Sequence, residues 1–168
     1  MTDFNGSIVV QFGYRPGAIG RIVELHGTYY HDYWRFDQRF EAEVAAELGE
    51  FVARMSWRDG LWLALAGGEV VGSIAVDGGR DAGRCARLRW FIVAPRWQGR
   101  GIGSQLLDEA LAFCRTSELK WVYLWTFAGL EAARRIYERF GFVLREERTD
   151  DVWGTEVTHQ MFVLGLES

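Results

Sequence analysis

Residues 93–103 carry the sequence VAPRWQGRGIG, which separates a strand pattern from a helix pattern. In residues 84–93 apolar side chains occupy every second position, which is the period of a β-strand, and Pro95 ends the run. In residues 102–115 the apolar side chains recur at helical spacing. The stretch is therefore predicted to be a glycine-rich turn that joins a strand to a helix.

This turn has the composition of an anion-binding loop. Its three glycines have no Cβ, so the backbone can approach a ligand closely. The first N–H groups of the following helix and the helix dipole favour a bound anion such as pyrophosphate, and Arg100 can add a guanidinium. A P-loop is excluded because the turn has no lysine, and a Rossmann fingerprint because the strand at 121–127 has no acidic residue. Glycines that serve only close packing remain the structural alternative.

Two separate blocks carry a family resemblance. The first is Gln98-x-x-Gly101-x-Gly103 after a strand that ends in Val93-x-Pro95, and the second is ARRIYERFGF at 133–142. Together they resemble the signature of the GNAT superfamily of N-acetyltransferases, and the resemblance extends over nearly the whole chain. The stretch 14–30 is also similar to the acetyltransferase half of bacterial proteins fused to MarR-type regulators. The 168 residues leave no room for a DNA-binding half, so no regulatory function is expected.

The resemblance implies an α/β fold, the acyl-CoA N-acyltransferase fold. Its central sheet is mixed and mostly antiparallel, with helices on both faces. It also implies that acetyl-CoA is the cosubstrate, that the acceptor is a primary amine of a small molecule or protein, and that no metal is needed. The family bulge that opens a cleft in the sheet is not visible in the sequence. The implied coenzyme-binding residues are Phe91, Ile92, Val93, Gln98, Gly99, Arg100, Gly101, Ile102, Gly103 and Ser104.

For catalysis, the resemblance places the general acid at Tyr137, whose phenol is protonated at neutral pH. The alternative is that Tyr137 is a core aromatic on the buried face of its helix. The sequence departs from the family pattern in two ways. Leu130 occupies the position of a frequent asparagine, and the strand before the turn has no carboxylate. The general base is therefore unassigned, and four residues are candidates by type: Glu24, His26, His31 and His159.

The acceptor site is expected around the first helix, the loop after it and the strand before the turn. Arg87 and Arg89 share one face of the strand before the turn. If this face lines the cleft, an acceptor that carries a carboxylate is favoured. Tyr29, Tyr30, Tyr33 and Trp34 can form a wall of the acceptor pocket. The alternative is that they pack in the connection between the first two helices. The candidate acceptor-binding residues are Tyr29, Tyr30, His31, Arg87 and Arg89.

The elements follow one another as strand, two helices, three strands, helix, strand, helix and two strands. The pattern predicts a short first helix whose apolar face ends near His26, and a longer second helix that begins after Asp37 as N-cap. A hairpin turn is expected at Gly67-Gly68 and a helix stop at Gly141. No linker divides residues 1–168, so a single domain is expected.

The composition limits the classes of partner. The net charge of −4 argues against nucleic acid, and no apolar stretch reaches membrane-spanning length. Two distant cysteines make neither a disulfide framework nor a zinc site. We therefore expect a cytoplasmic enzyme, with a homodimer common in such families. Two alternatives stay open: an acetyl-CoA-binding sensor without turnover, and a longer acyl-CoA or acyl-tRNA as donor, the tRNA version being disfavoured by the acidic charge.

Overall fold

The computed structural model describes residues 6–79 and 83–166. Within these ranges the elements follow the predicted order. The strands are β1 (Val9–Phe12), β2 (Gly60–Ala66), β3 (Glu69–Asp77), β4 (Cys85–Val93), β5 (Trp121–Phe127), β6 (Val143–Asp150) and β7 (Val157–Gly165). The helices are α1 (Ala18–Trp34), α2 (Gln38–Arg54), α3 (Ile102–Thr116) and α4 (Glu131–Arg139), and a 3₁₀ turn spans Pro95–Trp97.

The strands form one mixed sheet in the order β1-β2-β3-β4-β5-β7-β6. β4 and β5 are parallel, and every other neighbouring pair is antiparallel. All residues of β2 are buried, as are those of β3 after Glu69. Because successive side chains of a strand point to opposite faces, burial on both faces requires a layer on each side of the sheet. The predicted fold class is confirmed.

The first helix is longer than the sequence indicated. α1 has 17 residues, as many as α2, so the prediction of a short first helix is wrong. Gly27 does not stop the helix. It lies where α1 and α2 approach closely, since a Cβ there would be 2.1 Å from the Glu41 Oε1 atom. α1 ends at Arg35, whose φ is 61°, and the aromatic residues 29–34 therefore belong to its last turns rather than to a loop.

The predicted caps and turns are present. Gly67 and Gly68 have φ values of 56° and 84°, the pair of positive angles that a tight two-residue hairpin requires. The Asp37 side chain accepts a hydrogen bond from the Arg39 backbone N–H at 3.0 Å, which is N-cap geometry. Gly141, with φ of 96°, follows the end of α4.

β4 contains a bulge that the sequence did not show. Ser73 of β3 lies opposite Ile92, whereas Ala75 lies opposite Arg89, so β4 has one residue too many in this interval. Trp90 takes up the extra length with φ of 47°, and its carbonyl accepts a hydrogen bond from the Ser73 hydroxyl at 2.7 Å.

β4 and β5 separate from Arg89 onward, where the bulge begins. Their pairing runs from Cys85 opposite Trp121 to Leu88 opposite Leu124 and goes no further. The last five residues of β4 therefore have no partner strand on the β5 side. This separation opens a cleft in the middle of the sheet, at the end from which the glycine-rich turn departs.

Candidate active site

The glycine-rich turn borders a cavity of about 430 Å³, here called the turn cavity. Nine of the ten predicted coenzyme-binding residues line it: Phe91, Ile92, Val93, Gln98, Gly99, Gly101, Ile102, Gly103 and Ser104. Arg100 does not; its guanidinium lies over the Trp97 indole, 4.7 Å from the ring centroid. The strand end and the turn thus form one concave surface, and coenzyme binding at these residues stays a prediction.

The glycines of the turn have two different roles. Gly99 and Gly101 have φ values of 75° and 79°, and a Cβ on either would meet nothing within 4 Å. Their conformation favours glycine, and the space beside them is open to a ligand. A Cβ on Gly103 would instead lie 3.4 Å from both Phe91 and Ile136, so this glycine permits close packing. The close-packing alternative therefore describes Gly103, whereas anion binding at Gly99 and Gly101 stays a prediction.

Donors and a cation surround the turn cavity. No side chain caps the N-terminus of α3, so its first N–H groups are available to an anion. Arg139 of α4 donates to the Ser104 hydroxyl and brings a guanidinium to the same helix end. The indole nitrogen of Trp97 is buried and, among the described residues, has no hydrogen-bond partner. Backbone donors with a nearby cation suit a diphosphate. The sequence analysis missed both Trp97 and Arg139.

A second cavity of about 650 Å³, here called the cleft cavity, occupies the gap between β4 and β5. Tyr30, Phe91 and Ala133 line both cavities, so the two adjoin at these residues. Side chains from α1, α2, α4 and the β6–β7 hairpin complete its walls. A ligand that enters along the turn cavity can therefore reach a second ligand in the cleft cavity.

Tyr137 lines the cleft cavity from α4. Its ring is buried and packs against Phe91, Phe142 and Phe162, with centroid distances of 5.9, 6.0 and 6.0 Å. No side-chain hydrogen bond joins its hydroxyl to another described residue. Burial raises the pKa of Tyr137 well above its usual range, so the phenol stays neutral and its O–H can donate a hydrogen bond to a ligand. Burial likewise raises the pKa of Tyr30, helped by the nearby Tyr137.

Two of the four candidate bases line the cleft cavity, His26 and His159. The Nδ1–H of His26 donates to the Ile22 carbonyl at 2.8 Å, and burial lowers the pKa of His26 to about 4. The Nε2–H of His159 donates to the Asp150 carboxylate at 2.9 Å, and this bond holds the pKa of Asp150 below its usual range.

The other two candidates border neither cavity. Glu24 is exposed and forms an ion pair with Arg21 at 2.8 Å. His31, also a predicted acceptor-binding residue, is exposed, and its Nδ1 bonds to the Phe36 carbonyl at 3.0 Å. Tyr29, predicted on the acceptor side, lines the turn cavity instead.

Arg87 and Arg89 both line the cleft cavity. Arg89 is neutralised by two carboxylates, Asp77 at 3.2 Å and Glu47, and its guanidinium lies 4.2 Å from the Trp90 ring centroid. Arg87 differs, because its Nε atom is buried and has no hydrogen-bond partner among the described residues.

The carboxylates of the cleft cavity were missed by the sequence analysis. Glu43 and Glu47 of α2 flank its apolar face, and their four-residue spacing beside Phe40 and Val44 was the available signal. The Asp150 carboxylate is brought to His159 by the register of the β6–β7 hairpin, for which the sequence offered no signal.

Metal and membrane features are absent from the described ranges. No group of three or more His, Cys, Asp or Glu side chains in residues 6–79 and 83–166 is placed to hold a metal ion. None of the helices in these ranges combines the length and apolarity needed to cross a membrane.

An anion-binding turn beside a split mixed sheet defines the fold of the acyl-CoA N-acyltransferases. The sequence model of the Acetyltransferase (GNAT) family matches residues 21–142, and the chain belongs to this family. Among solved structures, yncA of Salmonella typhimurium, determined with acetyl-CoA, has a TM-score of 0.77 at 17% identity and covers 96% of this chain and 95% of its own. A GNAT acetyltransferase of Staphylococcus aureus has a TM-score of 0.75 at 16% identity, covering 96% and 100%.

Relatives with similar sequences match only part of the chain. A mycothiol acetyltransferase of Nocardiopsis dassonvillei is 34% identical over 95 residues, which is 56% of this chain and 22% of the relative. An N-acetylaspartate synthetase of Xenopus tropicalis is 32% identical over 81 residues, 48% of this chain and 30% of the relative. The chain thus spans less than a third of the length of these two curated relatives.

Proposed function

We propose that this protein transfers the acetyl group of acetyl-CoA to a primary amine of a small molecule or protein. The observation that carries the proposal is the junction of the two cavities at Tyr30, Phe91 and Ala133. One cavity has the donors and shape for a diphosphate-bearing cosubstrate, and the other is lined by polar groups that can hold an acceptor. The reacting atoms meet where β4 and β5 separate.

The turn cavity binds the donor in this proposal. Backbone N–H groups from Gly99 to Ser104 hold the pyrophosphate, with Arg139 adding charge, and the unpaired edge of β4 at 91–93 pairs with the pantetheine arm. The printed names of the relatives, mycothiol acetyltransferase and N-acetylaspartate synthetase, support an acetyl group as the group transferred.

The reaction is a direct attack. The neutral amine nitrogen attacks the thioester carbonyl carbon, so a C–N bond forms and the C–S bond breaks. The amine loses one proton and the sulfur gains one, which leaves an N-acetylated product and free coenzyme A. Backbone N–H groups near Val93 stabilise the negative charge that develops on the carbonyl oxygen. Tyr137 gives its proton to the departing sulfur as general acid.

Among the candidate bases, we assign the removal of the amine proton to His159. Its partner Asp150 fixes the proton on Nε2 and leaves Nδ1 as the acceptor nitrogen. His26 is the weaker candidate, because a pKa of about 4 makes its ring a poor proton acceptor at neutral pH. Water in the cleft cavity can relay the proton.

A second candidate function is an acetyl-CoA-binding sensor that has lost turnover. Two observations favour it: Leu130 stands where many family members have an asparagine, and β4 has no carboxylate. The other sequence expectations, namely the likeness to MarR-fused proteins, a homodimer, the absence of a nucleic-acid partner and a cytoplasmic location, stay predictions.

The deciding experiment measures thiol release from acetyl-CoA with a broad panel of amines, together with the mass of each product. The proposal expects an amine-dependent release of thiol in step with an acetylated product. Tight binding of acetyl-CoA without thiol release from any amine favours the sensor. Failure to bind acetyl-CoA at all contradicts both functions.

A further inference from the structure

The guanidinium of Arg87 stands out among the charged groups of the cleft cavity. Its Nε atom is buried, and no described residue makes a hydrogen bond or ion pair with this side chain. Burial, and then the neighbouring Arg89, lower the pKa of Arg87, so its surroundings work against the charge that an arginine nevertheless keeps. A partly buried cation without a partner costs free energy that a bound anion would offset.

The carboxylates nearest to Arg87 are bonded to other residues. Glu47 and Asp77 both attract its charge, but each of them is paired with Arg89. Asp77 also accepts from Arg54 at 2.7 Å. Among the described residues, neither Glu47 nor Asp77 is therefore free to neutralise Arg87.

The two remaining carboxylates that line the cavity are also engaged. Glu43 accepts a hydrogen bond from the Trp153 indole N–H at 2.7 Å, and Asp150 accepts one from His159 at 2.9 Å. Arg148, the third arginine of the cavity, is exposed and lies over the Trp125 ring at 4.9 Å. Arg87 is thus the partly buried cation without a carboxylate partner among the described residues of this cavity.

We propose that the acetyl acceptor is an amine that also carries a carboxylate, and that Arg87 binds this carboxylate. The inference rests on the proposed function, because it names the acceptor of the same site. The planar guanidinium fork suits a carboxylate, which it can hold with two parallel hydrogen bonds. The carboxylate takes no part in the bonds that form and break; it positions the amine.

The position of Arg87 along β4 indicates how far the carboxylate lies from the amine. Arg87 precedes Phe91, which borders both cavities, by four residues. At about 3.3 Å per residue an extended strand would put the two Cα atoms roughly 13 Å apart. The bulge at Trp90 shortens this distance, but one arginine side chain still covers only part of it. The acceptor class is therefore an ω-amino acid, whose amine and carboxylate are separated by several methylene groups, rather than an α-amino acid.

The test compares each acid with its own carboxamide. Glycine, β-alanine, 4-aminobutyrate and 6-aminohexanoate are assayed by thiol release against the amides of the same chain length. The longer acids should exceed their amides in kcat/KM by at least about tenfold, because only the acid pairs with the partly buried guanidinium of Arg87. Glycine should show no such preference. In Arg87→Gln the ratio of acid to amide should fall close to one, mainly through KM.

Two further variants control for charge and for folding. Arg148→Gln removes an exposed cation from the same cavity and should keep the preference for acids. Arg87→Lys keeps the positive charge but lacks the guanidinium fork, so it should retain part of the preference for acids. This variant provides the test if Arg87→Gln does not fold. A preference lost in Arg148→Gln but kept in Arg87→Gln overturns the assignment.

The outcomes separate this inference from the proposed function. If neutral amines are acetylated as well as the acids, the inference is wrong and the proposed function stands. If no amine releases thiol, the proposed function is wrong. Calorimetry then measures the affinity for 6-aminohexanoate of the wild type and of Arg87→Gln, both saturated with coenzyme A. This comparison tests carboxylate binding by Arg87 independently of catalysis. Equal affinities in that measurement overturn it.

Discussion

The rings of Tyr137 and Phe91 lie 5.9 Å apart, centroid to centroid, where β4 has already separated from β5. Phe91 borders both cavities, whereas Tyr137 borders the cleft cavity. A thioester that arrives along the turn cavity therefore passes Phe91 and then meets the phenol. In the proposed reaction, this order of contacts brings the departing sulfur next to Tyr137.

Replacing Tyr137 with Phe should lower kcat by roughly 10²- to 10⁴-fold, the usual contribution of a general acid. The ring keeps its contacts with Phe142 and Phe162, so folding and acetyl-CoA affinity should change little. The measurement is kcat at saturating acetyl-CoA, with the dissociation constant of the cosubstrate determined separately by calorimetry. A wild-type kcat in the variant would remove Tyr137 from the mechanism.

Tyr30→Phe is the matched control, because Tyr30 offers a second buried phenol at the junction of the cavities. Its effect on kcat should be small beside that of Tyr137→Phe. A large loss in Tyr30→Phe, with Tyr137→Phe near the wild type, would transfer the role of general acid to Tyr30.

Gly101→Asp and Gly101→Asn form a pair that isolates charge at the turn. A side chain at Gly101 enters open space, and both replacements have the same shape and tolerate positive φ similarly. Any strain is therefore shared. The aspartate should weaken acetyl-CoA binding by at least about tenfold relative to the asparagine, because it repels the pyrophosphate. Calorimetry on the two variants gives the comparison.

Salt provides the second measurement for this pair. Added salt screens charge at an exposed site, so the difference between the two variants should shrink as ionic strength rises. Equal affinities at low salt would mean that the pyrophosphate does not bind at this turn.

The turn was predictable because its parts are adjacent in the chain. Three glycines, a preceding strand and a following helix all lie within residues 84–115, and local spacing sufficed to identify them. Those residues do line one cavity in the structure. Asp37 and Gly141 were predictable for the same reason, since a cap depends on a few consecutive residues.

The cleft was not predictable, because it depends on tertiary packing. The bulge at Trp90 is set by the register against β3, and Gly27 stays helical because α2 approaches it closely. The pairing of Asp150 with His159 depends on the register of β6 against β7. Arg87 was a candidate from its strand face, but its lack of a partner became visible only once the groups around it were placed.

His26 gives the structure a measurable dependence of stability on pH. Its ring is buried on α1, and burial lowers its pKa from 6.5 to about 4. Between these values the unfolded chain binds a proton that the folded chain does not. The free energy of unfolding should therefore be highest above pH 6.5 and fall as the pH drops toward 4. At 1.4 kcal/mol per pH unit, the loss attributable to His26 is roughly 3 kcal/mol.

Replacing His26 with Gln should remove this component of the slope, since the side chain no longer titrates. His31→Gln is the matched control, because His31 lies on the same helix but is exposed, and it should keep the slope of the wild type. Urea unfolding at a series of pH values between 4 and 7 measures the free energies for all three proteins. An equal slope in His26→Gln and the wild type would mean that His26 binds its proton equally well in the folded and the unfolded chain. The low pKa would then no longer be a reason to prefer His159 to His26 as the base.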